Sequence, residues 1–229
     1  MNAEARELFG SRRVAPSILA ADFARLGDQV DAVMAAGARV IHVDVMDGRF
    51  VPPITIGPLV ASSIAERVHA AGGALDVHLM IARPADHIEA FAAAGADCIT
   101  IHWEADPHAH RTLAAIRDAG CLAGLAVNPG TPADSVVALA AGCDLLLAMT
   151  VNPGWGGQRF IAESPAKIAR LRELAPPGCA VEADGGVDAA TAPVVVEAGA
   201  NLLVAGSAVF ADPDPGAAYR RVAEASGAA

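Results

Sequence analysis

Ala35-Ala36-Gly37-Ala38-Arg39-Val40-Ile41-His42-Val43-Asp44-Val45-Met46-Asp47-Gly48 is the stretch whose reading decides the fold. It runs from the end of an Ala-rich helix, through a stopping glycine, into a short apolar strand expected over residues 39–45. Glycine ends a helix at little cost because it accepts the left-handed backbone conformation. The same phrase returns at Ala71-Gly72, Ala94-Gly95, Ala119-Gly120, Ala141-Gly142 and Ala198-Gly199. Apolar runs follow each of them, over residues 74–80, 97–102, 121–127, 143–149 and 201–205. Runs at 14–18 and 179–183 bring the expected strands to eight. Continuous apolar strands alternating with amphipathic helices predict parallel pairing with both faces covered. Eight such units in 229 residues predict an α/β fold, a single (β/α)8 TIM barrel. On that reading 1–229 is one domain, with 1–13 an N-terminal extension and 212–229 a C-terminal helix and tail. An open doubly wound sheet would need a nucleotide-binding glycine fingerprint after the first strand, and Ser17-Ile18-Leu19-Ala20-Ala21-Asp22 is not one.

Side chains alternate along a strand, so His42, Asp44 and Met46 share one face, with the first two within about 7 Å of each other. Asp76-Val77-His78-Leu79-Met80 repeats the pattern, and Val181-Glu182-Ala183-Asp184-Gly185-Gly186 ends an apolar strand on a carboxylate. One such residue alone is ordinarily a satisfied structural group. Three strands that carry polar groups toward their C-terminal ends point to a site, because an apolar strand does not bury charge without a partner or a metal. If the strand ends meet, His42, Asp44, His78 and Asp184 form a two-His, two-carboxylate metal site. Met46, Met80 and Met149 either fill core or line the cavity, where thioethers exclude water without adding a base.

Glycines follow three late strands, at Gly154-Trp155-Gly156-Gly157, Gly185-Gly186 and Gly206-Ser207. Backbone N–H groups in such loops approach phosphate oxygens closely, so a phosphate is expected there. Residues 150–165, with Asn152-Pro153 and three glycines, read as a lid. Lys167 is the only lysine and lies in a helical pattern, which argues against a Schiff base. Cys98, Cys121, Cys143 and Cys179 lack zinc or disulfide spacing and sit near strand starts, the wrong ends for a nucleophile. His102 reads as a supporting or structural residue, and His69, His87, His108 and His110 as surface residues on helices.

A net charge of -10 argues against nucleic acid and anionic membranes as partners. No apolar run approaches the roughly 18 residues of a membrane span, and the acidic residues at the N-terminus are unlike a signal peptide, so a cytoplasmic protein is expected.

These motifs, in this order from about residue 14 to residue 210, closely resemble the ribulose-phosphate 3-epimerase family, with Ala15-Pro16-Ser17-Ile18-Leu19 and Val204-Ala205-Gly206-Ser207 completing the set. The resemblance implies a barrel of the ribulose-phosphate-binding type and an isomerase of the pentose phosphate pathway. The expected reaction interconverts D-ribulose 5-phosphate and D-xylulose 5-phosphate at C3. It implies one divalent cation on His42, Asp44, His78 and Asp184, with zinc or iron expected first and manganese or cobalt also compatible. It makes Asp44 and Asp184 the acid/base pair, which exchanges the C3 proton through an enediolate. It places the substrate on Ser17, His78, Gly154, Trp155, Gly156, Gly157, Asp184, Gly185, Gly186, Gly206 and Ser207. A homo-oligomer is expected. Trp155 stands where the family more usually has Phe, and Pro53 where Asn is common, both near the mouth. A 3-epimerase of a related ketose phosphate such as D-allulose 6-phosphate shares the motifs. A metal-dependent aldolase and a non-catalytic sugar-phosphate binder are the more distant alternatives.

Overall fold

The computed structural model describes residues 3–228; positions 1, 2 and 229, the outer ends of the expected extension and tail, lie outside it. Eight strands form one sheet: β1 (Arg13–Pro16), β2 (Val40–Met46), β3 (Ala74–Met80), β4 (Cys98–His102), β5 (Leu122–Val127), β6 (Leu145–Met149), β7 (Ala180–Asp184) and β8 (Leu202–Ala205). Every neighbouring pair is parallel, in the order β1-β8-β7-β6-β5-β4-β3-β2. A single parallel bridge between Ser17 and His42 brings the two edges together and makes the sheet a barrel. Around it run α1 (Ala3–Gly10), α2 (Leu26–Ala35), α3 (Pro58–Ala70), α4 (Ile88–Ala93), α5 (Ala109–Asp118), α6 (Ser164–Leu174), α7 (Ala192–Glu197), α8 (Ser207–Phe210) and α9 (Pro215–Ser226). No helix among the described residues is long and apolar enough to cross a membrane.

Alternation along the strands sorts the core into two shells. Outward residues such as Ile41, Val43, Leu75, Val77, Ile99 and Ile101 join Val30, Ile64, Phe91 and Leu113 from the helices. Inward residues Val40, Ala74, Cys98, Leu122, Leu145, Ala180 and Leu202 form a separate shell that includes Ala5 and Phe9 of α1. The segment expected as an extension thus begins, within the described residues, as a helix that plugs the N-terminal end of the barrel. Phe9 is 2 % exposed, and burying such a side chain contributes about 1.5–3 kcal/mol.

Two local expectations are corrected. The first strand ends at Pro16, before residue 18: Ser17 turns the chain, its hydroxyl accepting from Leu19 N–H at 3.3 Å. The connection between β5 and β6 holds two short 3-10 turns, Ala133–Val136 and Ala140–Gly142, where a helix was expected. Its first part, Asn128-Pro129-Gly130-Thr131-Pro132, is loop and turn.

Candidate active site

Above the apolar inner shell the barrel turns polar. His42 and Asp44 come from β2, Asp76 and His78 from β3, His102 from β4, and Glu182 and Asp184 from β7. Register sets Asp44 beside His78 and His42 beside Asp76, whereas Asp184 reaches His78 from across the lumen. Asp44 Oδ1 lies 3.2 Å from His42 Nε2 and 3.1 Å from His78 Nδ1. Its other oxygen accepts a 2.5 Å hydrogen bond from Ser17 Oγ. Asp184 Oδ2 lies 3.4 Å from His78 Nδ1. Each of these four residues offers one ligand atom, and all four atoms fall within 4.8 Å of one another.

The donor set suits a divalent cation. Ligands at the usual 2.0–2.2 Å from a tetrahedral ion are about 3.3–3.6 Å apart, close to the separations seen here. Both imidazoles also have their remote nitrogen occupied, the usual arrangement for ligating histidines. His42 Nδ1 is 2.7 Å from Asp76 Oδ2, and His78 Nε2 is 2.8 Å from His102 Nε2. Burial works to lower His78, but hydrogen bonds to Asp184 and Asp44 and the charges of both outweigh it and lift the ring to about 9. The pocket draws positive charge to itself.

The two carboxylates are driven apart. Burial opposes ionisation of Asp44, yet His42 beside it, with hydrogen bonds to both rings, holds it well below the usual carboxylate range. Asp184 is pushed upward, first by burial and then by the charge of Asp44. Behind His42, burial and the charge of Asp76 raise Glu182 to about 8. Both Glu182 oxygens and Asp76 Oδ1 lack a donor, and a proton retained by Glu182 supplies one.

The polar layer forms the floor of a cavity of about 710 Å3, lined by Ser17, Asp44, Asp184 and the three methionines Met46, Met80 and Met149. His42 and His78 lie beneath that floor with no exposed surface. The three glycine loops form the upper walls, Trp155, Gly156, Gly157, Gly185, Gly186, Gly206 and Ser207 among them. Gly185 and Gly186 have φ of +121° and +66°, backbone that a side chain would strain. The loop of residues 151–160 is closed at its base by Ile161 N–H to Thr150 O at 2.9 Å. Gln158 Nε2 holds it inside by donating to Asn152 O and Trp155 O. Gly154 rests on Val51, Pro52 and Pro53, and Trp155 is 57 % exposed at the mouth.

A family model described as the ribulose-phosphate 3 epimerase family matches residues 13–210. The chain belongs to the ribulose-phosphate 3-epimerase family. It is therefore an isomerase of the epimerase kind. It is 52% identical over 206 residues to ribulose-phosphate 3-epimerase of Synechocystis, covering 88% of each chain. It is 50% identical over 206 residues to the Bacillus subtilis protein of the same name, covering 88% of this chain and 94% of that one. The fold extends to more distant barrels: orotidine 5'-phosphate decarboxylase from Pyrococcus horikoshii superposes with a TM-score of 0.68 at 16% identity, over 94% of this chain and 100% of the other.

Sequence reasoning missed the groups behind the histidines. Asp76 and Glu182 stand two residues before His78 and Asp184, on the same inward face, and that alternation was the available signal. Glu104, paired with His102 two residues before it, lies past the end of β4, where strand alternation no longer applies. The four cysteines are buried near strand starts, and burial raises Cys121 to about 11 and Cys143 and Cys179 to about 12. Lys167 donates to Asn128 O and Pro129 O on the loop after β5, away from the cavity floor.

Proposed function

We propose that the protein epimerises D-ribulose 5-phosphate at C3, giving D-xylulose 5-phosphate, with Asp44 and Asp184 as the proton-transfer pair and one divalent cation on His42, Asp44, His78 and Asp184. The observation that carries this reading is the placement of two carboxylates on the floor of one cavity, Asp44 from β2 and Asp184 from β7 across the lumen, 3.1 and 3.4 Å from the same His78 nitrogen. Two carboxylates on different walls can remove a proton from one face of a sugar and return one to the other. Asp44 takes the C3 proton from one face of the sugar, and Asp184 returns one to the other face. The roles exchange in the reverse direction. A bound cation would act as a Lewis acid toward the carbonyl and its neighbouring hydroxyl, offsetting the charge that develops there. Two imidazoles and two carboxylates suit zinc, iron, manganese or cobalt.

The protein's own groups do the rest. Met46, Met80 and Met149, each under 5 % exposed, keep water off the planar enediolate. Ser17 donates to Asp44 Oδ2, which leaves that carboxylate one orientation. The loops at Gly185-Gly186 and Gly206-Ser207 offer backbone N–H groups to the phosphate, and the loop of residues 151–160 covers the sugar. The relatives' shared name supports the five-carbon substrate.

The test is an assay of purified protein, with metal content measured by elemental analysis, on D-ribulose 5-phosphate and D-allulose 6-phosphate. Conversion of the pentose phosphate with the higher kcat/KM, by protein carrying about one first-row divalent ion per chain, is expected. Preference for the hexose phosphate would overturn the substrate, and full activity in metal-stripped protein would overturn the cation.

A further inference from the structure

His78 is backed by a chain of groups that leads away from the site. Its Nε2 lies 2.8 Å from Nε2 of His102, with the planes of the two rings inclined by 21°. Nδ1 of His102 lies 3.2 Å from Glu104 Oε2. The other oxygen, Oε1, accepts from Asn128 N–H at 2.8 Å and from the Thr131 hydroxyl.

What each end can do sets the direction of every hydrogen bond between them. An ionised carboxylate only accepts, so His102 carries its hydrogen on Nδ1 and leaves Nε2 bare. Two nitrogens 2.8 Å apart share one hydrogen, and here it must come from His78. A neutral His78 with hydrogen on Nε2 keeps its lone pair on Nδ1, the nitrogen facing Asp44 and Asp184. We propose that Glu104 is a positioning residue that acts through His102 to fix which nitrogen of His78 is free to bind a divalent cation. The inference rests on the metal reading above and goes beyond it, since Glu104 is neither a ligand in that set nor part of the cavity wall. Glu104 is held near 2, its burial outweighed by hydrogen bonds from His102, Thr131 and Asn128.

The two donors on Oε1 make a sharp experiment possible. In Glu104→Gln the amide oxygen must face Asn128 N–H and Thr131, so its NH2 faces His102 Nδ1. That inverts the chain: His102 becomes a donor at Nε2, and the hydrogen on His78 is forced to Nδ1, against the cation. In Glu104→Ala, His102 is released to choose either tautomer. The variant closer in shape should therefore be the more damaging, which loss of packing alone would not produce.

Zinc affinity of the metal-stripped full chain, measured by competition with a chelator, should fall about 100-fold in Glu104→Gln and about 10-fold in Glu104→Ala. Nitrogen-15 NMR of the metal-free protein above about pH 9, where His78 is neutral, should show the His102 proton on Nδ1 in the parent and on Nε2 in Glu104→Gln. If Glu104→Gln does not fold, His102→Phe carries the test; it fills the ring's place without an acceptor for His78 and should weaken zinc at least 10-fold. Zinc binding equal to the parent in Glu104→Gln or His102→Phe, or equal losses in the Gln and Ala variants, overturns the inference. A parent that binds no zinc overturns the metal reading itself, an outcome distinct from a parent that binds and variants that match it.

Discussion

His42 and His78 face the same carboxylate, Asp44, yet they are braced in opposite ways. The brace behind His42 is short and sealed: Asp76 on the next strand and Glu182 from across the lumen, all without exposed surface. The brace behind His78 is long and runs outward, through His102 to Glu104 and on to Asn128 and Thr131 after β5. The first is built from strand residues that also form the centre of the barrel. The second ends on a side chain that is 18 % exposed and is held by a loop. One site thus combines an arm sealed in the barrel's centre with an arm that reaches toward its rim.

The largest expected effect comes where the arms join. Asp44 Oδ1 touches both rings, whereas Asp184 touches only His78. Asp44→Asn and Asp184→Asn should each lower kcat by about 1,000-fold or more, because each removes one proton-transfer group. Zinc affinity should separate them, with the Asp44 variant losing more. Equal metal retention in the two variants would show that Asp44 is not the junction.

A smaller effect tests the sealed arm. Asp76→Asn removes the charge behind His42 and should weaken zinc by about 10- to 100-fold. Glu182→Gln should leave zinc affinity near the parent's, because Glu182 already holds its proton at neutral pH. The two differ more clearly in stability against pH. A glutamate raised to about 8 in the folded state, against 4.5 unfolded, keeps a proton that the unfolded chain has released. Its contribution is fully present below pH 4.5 and is lost as pH rises toward 8. Melting temperature of metal-free parent should therefore decline between pH 5 and 8, and Glu182→Gln should make that decline shallower, the remainder coming from His42, His78 and Asp184, which are raised as well. Parallel curves for parent and variant would mean that Glu182 is ionised when folded.

The smallest effect lies away from both arms, at the phosphate loops. A Cβ at Gly206 would make only ordinary contacts, with Ala20 Cβ at 3.6 Å and Ser17 Cβ at 3.8 Å, so Gly206→Val should fold and raise KM by about 10-fold through lost phosphate binding. Gly186 is a poorer probe, because a Cβ there would meet the Phe160 backbone at 2.6 Å and disturb the loop itself. An unchanged KM in Gly206→Val would move the phosphate elsewhere.

Much of this was legible in the chain. The Ala-Gly phrase marked six strand starts, and inward alternation marked His42, Asp44, His78 and Asp184, because both are local patterns with periods the sequence displays. The β5–β6 connection was misread because its Ala- and Val-rich composition resembles a helix. Glu104 was seen only as a neighbour of His102, because its other partners, Thr131 and Asn128, are more than twenty residues away, and only the β4–β5 register brings them together.

The sequence by itself determined the number of strands, their alternation with helices, and which side chains each strand turns inward, because chain sterics and hydrophobic periodicity act over a few residues. Only the tertiary structure decided which inward groups meet. Asp184 on β7 touches His78 on β3, and Glu182 stands behind His42, across an interior that no local pattern describes. Phe9 fills the barrel's far end for the same reason. Closing eight strands fixes tilt and stagger together, and that closure sets the distances across the lumen.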